Sequence, residues 1–193
     1  MFGPGPALHE HTLTLFTDSY VVRGRLASPG ARLTDVLNNA ENGLLVIEDA
    51  TFEEFGGSGG TERAAFAQVN LAAALFATSD EMVEPMPEMR MAKVPQQALI
   101  SVPPFRIVGR IHLPAVESLR EALAELRQAF VPVSDATYWS EALREPRTSS
   151  VFLAFNHARA QILAPYAEQD PWSDARMNAL SGGGPTSPEV EQA

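Results

Sequence analysis

The sequence predicts a mainly β protein with short helices, built from one unit written twice. Three observations carry this prediction. Stretches of β-forming residues alternate apolar and polar side chains in the manner of half-buried strands. The tetrad Asp-Ala-Thr-aromatic stands at 49–52 and again at 135–138. The residues around the two tetrads match at a constant spacing: Leu33, Leu37, Leu44, Ile47, Phe52, Phe66 and Asn70 each lie 86 positions before Leu119, Leu123, Phe130, Val133, Tyr138, Phe152 and Asn156. Upstream, Gly24-Arg25-Leu26 and Gly109-Arg110-Ile111 are 85 apart. An offset that persists over so many apolar positions marks a tandem duplication.

The duplication divides the chain. A flexible N-terminal segment is expected over 1–11, a first repeat over 12–82, a Pro/Met-rich linker over 83–96 and a second repeat over 97–166. Each repeat opens with β-rich sequence, LTLFTDSYVVRGRLAS in the first and ALISVPPFRIVGRIHL in the second. Alternation in Tyr20-Val22-Gly24-Leu26 and in Phe105-Ile107-Gly109-Ile111 predicts strands with one buried face. A proline closes this region and a short helix follows. In the first repeat Leu33, Val36 and Leu37 share a helix face and Asn42-Gly43 is the stop; in the second, Val116, Leu119, Leu123 and Leu126 form the stripe.

Then come the strands LLVIEDATF and FVPVSDATY. The Asp of each tetrad is expected to end its strand and to bind the amides of a turn, as short acceptor side chains do. A closing hairpin with Asn70 or Asn156 at its tip completes each unit, since Asn tolerates left-handed backbone. Residues 167–193 read as a short helix and an acidic Gly/Pro tail. Asp170 is the N-cap, Pro171 the first helical position and Gly182 the start of the stop. Trp172, Arg176, Met177 and Leu180 on that helix are candidate protein-interaction residues, because a Trp beside apolar neighbours is a usual interface anchor.

The order VRGRL, VIEDA, AQVNLAAALF in the first repeat and IVGRI, VPVSDA, LAFNHARAQIL in the second resembles the Sm-like small β-barrels of the SH3-like kind. The resemblance covers about 70 residues of each repeat and implies two tandem small β-barrels, each with a helix inserted between its second and third strands. The family's RNA-contacting Asp and Asn and its closing Arg-Gly have no counterpart here; Asn70-Leu71 and Asn156-His157 stand at the closing position. The Arg32-to-Asn38 run before a V-x-D-A strand also looks like an uncharacterised bacterial family of unknown function, which implies no activity.

Composition bears on function mainly by exclusion. There is no cysteine, hence no thiolate metal site, disulfide or Cys nucleophile. The N-terminus lacks a signal-peptide pattern and no apolar run is long enough to span a bilayer, so a cytoplasmic protein is expected. The net charge of −10 disfavours nucleic acid and anionic membranes as partners. The charge is uneven, −6 over 12–82, +1 over 97–166 and −4 over 167–193. Gly56-Gly57-Ser58-Gly59-Gly60-Thr61 lacks the Lys of a phosphate-binding loop, and a strand rather than a helix follows it. His9-Glu10-His11 has no third anchored ligand, and neither His112 nor His157 has a Ser or Asp at triad spacing. No catalytic, cofactor-binding or metal residues are assigned. Arg23, Arg25, Arg106 and Arg110, on the long strands, are the candidate contacts for an acidic ligand.

These observations point to a non-enzymatic assembly, scaffold or accessory-subunit protein. It would self-associate or dock on a larger complex through barrel edges and the C-terminal helix, as a homo-oligomer or beside a different subunit. A regulatory module binding a nucleotide-like ligand between the barrels is the alternative. An RNA- or DNA-binding Sm-like protein is the third reading.

Overall fold

The computed structural model describes residues 9–28, 32–56, 59–80, 93–114 and 119–166. Trp172, Arg176, Met177 and Leu180, like the whole predicted C-terminal helix, lie outside them. The first repeat contains β1 (His9–Thr17), β2 (Tyr20–Ser28), α1 (Leu33–Asn38), β3 (Leu44–Glu54), β4 (Glu62–Asn70) and β5 (Ala74–Ser79). The second contains β6 (Lys93–Val102), β7 (Phe105–Pro114), α2 (Leu119–Ala124), β8 (Phe130–Ser140), β9 (Glu145–Asn156) and β10 (Ile162–Pro165). Strand pairing starts at His9 and Lys93, a few residues ahead of the repeats as drawn from the sequence.

The chain is mainly β, and every strand pair is antiparallel. Strand order is β10-β6-β7-β8-β9-β5-β1-β2-β3-β4. Both repeats therefore use the same internal order, with the fifth strand beside the first and the fourth at the opposite end. The two are not separate sheets: β5 pairs with β9 and makes one ten-stranded sheet of them.

The repeated Asp-Ala-Thr is a β-bulge inside a continuous strand, which corrects the expected turn. On the β2–β3 ladder Arg23 faces Thr51 while Arg25 faces Glu48, so Asp49 and Ala50 together oppose Gly24. The β7–β8 ladder repeats this, with Val108 facing Thr137, Arg110 facing Ser134, and Asp135 and Ala136 opposite Gly109. Asp49 and Asp135 both adopt φ 48°, a left-handed conformation that short polar side chains tolerate. The extra residue changes the phase of the strand: Leu45, Ile47 and then Ala50 are buried, as are Val131, Val133 and then Ala136. Glycine is required opposite the bulge. A Cβ on Gly24 would lie 2.5 Å from the Glu48 carbonyl oxygen and 2.5 Å from Ile47 Cγ2. On Gly109 it would lie 2.5 Å from Val133 Cγ1 and 3.0 Å from Ala136 Cα.

The closing element also differs from the expected hairpin. β4 and β5 are consecutive yet unpaired, because β5 crosses to β1 while β4 stays on β3. The connection is a tight turn in both repeats. Leu71 N–H donates to Gly43 C=O at 2.8 Å, and His157 N–H to Ala129 C=O at 2.7 Å. Asn70 Oδ1 accepts from Ala72 N–H and Asn156 Oδ1 from Ala158 N–H, so these side chains cap the turn. Asn156 is extended at φ −76°. α1 buries Leu33, Thr34 and Leu37. In α2, Ala122 is buried, and Leu123 packs against the second core together with Leu126, just past the helix end.

Gly24→Ala should destabilise the chain by at least about 2 kcal/mol, because a backbone carbonyl must move. Gly109→Ala should cost about 1 kcal/mol, since its nearest obstacle is a side-chain methyl group. Gly59→Ala, with open space around it, should stay within about 0.5 kcal/mol. Urea denaturation of the three variants checks the order.

Candidate assembly site at the strand edges

The site follows from how the repeats join. β5 and β9 pair over Phe76↔Phe155, Ala77↔Ala154, Thr78↔Leu153 and Ser79↔Phe152. Side chains from each repeat enter the other's core. Phe130 and Ala154 of the second repeat belong to the cluster of Leu13, Leu26, Leu37 and Ala77. Phe16, Val21 and Phe76 of the first belong to the cluster of Ile107, Val133 and Phe155. Phe16 stacks on Phe76 with ring centroids 4.3 Å apart, and both meet Phe105 and Tyr138 at 5.1–5.5 Å. Such aromatic pairs add about 0.5–1.5 kcal/mol each beyond the area they bury. These rings pack between the repeats, among the described residues.

Polar contacts lock the register. Asn38 clamps the first residue of β8: its Nδ2 donates to Phe130 C=O at 3.0 Å and its Oδ1 accepts from Phe130 N–H at 2.8 Å. Asn156, 5% exposed, sends Nδ2 to Leu71 C=O at 3.2 Å and to Ala74 C=O at 2.9 Å. Arg159 pairs with Asp18 and donates to Ala72 C=O at 3.2 Å.

Two strands are left at the ends of the sheet, β4 and β10. They are the repeat-equivalents of β9 and β5, the strands that make the join. β4 buries none of its side chains and half-buries Ala64, Ala67 and Val69, while the matching end of β9 is buried from Leu153 to Asn156. β5 is buried throughout, while β10 is exposed or half-exposed.

The candidate arginines are divided between the repeats. Arg23 pairs with Glu53 at 2.5 Å, Arg25 with Asp49 and with Glu10 at 3.0 Å, and Arg110 with Asp135 at 2.5 Å. Arg25 and Arg110 thus hold the bulge acids. The Asp49 carboxylate first, and then Glu10, raise the Arg25 pKa. All these pairs are well exposed, so solvent screening leaves each of them a weak contribution to stability. Arg106 has no ion pair among the described residues. It lies opposite Trp139, and Arg147 sits over the Trp139 ring at 4.4 Å from its centre. Among the described residues no group of three or more His, Cys, Asp or Glu could hold a metal ion, and no helix is long and apolar enough to cross a membrane. Comparison with family models, curated proteins and solved structures finds no match to the chain.

Sequence reasoning expected edge strands to matter but missed which strands end the sheet, the bulge and the unequal roles of the two asparagines. The bulge had a signal: the apolar positions 45, 47, 50 and 52 break the period of two at Asp49, as 131, 133, 136 and 138 do at Asp135. The asparagines had none, because Asn70 and Asn156 are equivalent in the repeat and differ only in what lies beside them.

Asn156→Ala strands two carbonyls and the Ala158 amide at the join, and should cost about 2–3 kcal/mol in chemical denaturation. Asn70→Ala, at an exposed position, should cost about 1 kcal/mol or less. Tyr138 supplies a pH dependence. Burial, and secondarily Glu145, raises its phenol pKa, so the neutral form is favoured in the fold. The stability is intact below the ordinary value of about 10 and is lost as pH climbs through the higher folded value. Tyr138→Phe should flatten that alkaline loss in a profile of urea midpoint against pH.

Proposed function

We propose that the chain is a non-enzymatic assembly protein, docking through its sheet edges on the edge strand of another subunit. In this reading each five-stranded repeat is a small β-barrel of the Sm-like, SH3-like kind. Support for the barrel comes from the shared strand order, the bulge that bends the second and third strands together, and the tight turn between the fourth and fifth. In this reading the setting is cytoplasmic.

The observation that carries the proposal is the β5–β9 join. One repeat presents a fourth strand and the other accepts it on a fifth, with mutual exchange of core side chains. Among the described residues the same two surfaces recur unpaired at the ends of the sheet. Exposed edges are ready templates for another strand, and a protein that keeps them long and apolar uses them or is at risk from them. β4 is nine residues long and carries Phe66, 65% exposed.

The test is the native mass of the full chain in extracts of its own cells, beside a Phe66→Asp, Ile162→Asp double variant. The wild type should elute well above its monomer mass, and the double variant should elute at the monomer position. A wild type that elutes as a monomer would overturn the proposal.

A further inference from the structure

We propose that the edge partner is a second copy of this chain, docked head to tail, with Leu44 of one copy seated in a cleft between α2 and β10 of the next. β4 would pair with β10 in the register Val69↔Ile162, Gln68↔Leu163 and Ala67↔Ala164. This inference rests on the edge-docking reading and specifies its partner.

The register is the internal join carried over by the repeat: Phe155, Ala154 and Leu153 correspond to Val69, Gln68 and Ala67, and Phe76, Ala77 and Thr78 to Ile162, Leu163 and Ala164. The apolar seat is a separate observation. Phe130, 2% exposed, is buried with Leu13, Leu26, Leu37 and Ala77. The equivalents of those four residues in the second repeat are Ala98, Ile111, Leu123 and Leu163, and they line an apolar cleft bounded by β6, α2 and β10. The equivalent of Phe130 is Leu44, 38% exposed. Among the described residues the first repeat therefore carries an exposed plug, and the second a shallow apolar surface depression lined by residues of matching chemistry.

Two further pairs agree. Tyr20 and Phe52, in edge-to-face contact at 6.4 Å, are the equivalents of Phe105 and Tyr138. Tyr20 is 39% exposed, and Ile162, the equivalent of the Phe76 that Phe105 packs on, is 56% exposed. Asn70 keeps its Oδ1 cap, and Nδ2 is its remaining donor. It would reach the carbonyls of His157 and Ala160 in the next copy, the counterparts of Leu71 and Ala74.

The outer join would be weaker than the inner one. Asn38 has Ala124 as its counterpart, and the Arg159–Asp18 pair is replaced by Ala73 and Pro103, so the amide clamp and the ion pair are both absent. Tyr166 N–H donates to Gln97 C=O at 3.0 Å, which turns the N–H of Leu163 toward the open edge. Pro165, two residues on, has none to offer. A heterologous contact of this kind adds chains one at a time, and its reversibility makes the assembly concentration-dependent.

Sedimentation velocity of the purified full chain tests this. The mass should exceed 20.9 kDa and rise with concentration. Leu44→Asp and Ile162→Asp each alter an exposed side chain and should each hold the chain as a monomer with an unchanged melting temperature. An equimolar mixture of the two variants keeps one intact plug edge and one intact socket edge, and should stop at two chains. Purified wild type that stays monomeric, or a mixture of variants that forms no dimer, would overturn the inference. If the native mass in extracts still depends on Phe66 and Ile162, the edges serve a different subunit, and only the choice of partner fails.

Discussion

Everything in this fold depends on the exchange of side chains across the β5–β9 join. Neither repeat closes a core by itself. Phe130 and Ala154 complete the first cluster, and Phe16, Val21 and Phe76 complete the second. A small unit of some 70 residues buries limited apolar surface, so borrowing aromatic rings from a neighbour is an effective way to gain stability. The polar contacts at the same place, from Asn38, Asn156 and Arg159, add little net energy but fix which residue faces which. A slip by one position would leave the Asn156 amide and several carbonyls buried without partners.

Within each repeat the governing feature is smaller. One extra residue, Asp49 or Asp135, lies opposite a glycine and lets the strand change the face it buries midway along. A bulge of this kind bends its strand and increases the local twist. Arg25 and Arg110 follow the glycines and hold the bulge carboxylates from the neighbouring strand. The motif is thus distributed over two strands, Gly-Arg on one and Asp-Ala on the other.

The duplication was legible because apolar positions recur at one offset and core packing tolerates few alternatives at each. Strand existence and the α1 position were legible for the same reason, through the alternation of Tyr20 to Leu26 and the stripe of Leu33 and Leu37. Strand pairing was not. Nothing in AAFAQVNLAAALFAT distinguishes a hairpin from a crossover, since both need two apolar strands and a tight turn. The candidate site was half legible. Edge strands were expected to matter, but which strands end the sheet is a property of long-range pairing. The arginines were visible as charges, while their carboxylate partners on adjacent strands depend on a register shifted by the bulge.

The two repeats differ where duplication alone would leave them alike, and the differences sort by position relative to the join. The row that repeat two covers holds Phe76, Phe16 and Val21; the equivalent row at the open end holds Ile162, Ser101 and Arg106. Two of the three apolar side chains have become polar or charged where water reaches them, and a proline stands on the short outer strand. These are the usual devices that keep an exposed edge from pairing without control. They are incomplete, because Phe66, Val46 and Leu44 remain exposed at the other end, beside a strand of nine residues. One end of the sheet is blunted while the other keeps its apolar plug. An asymmetry of that kind suits a heterologous contact, in which a single strong surface meets a moderated one and association stays reversible.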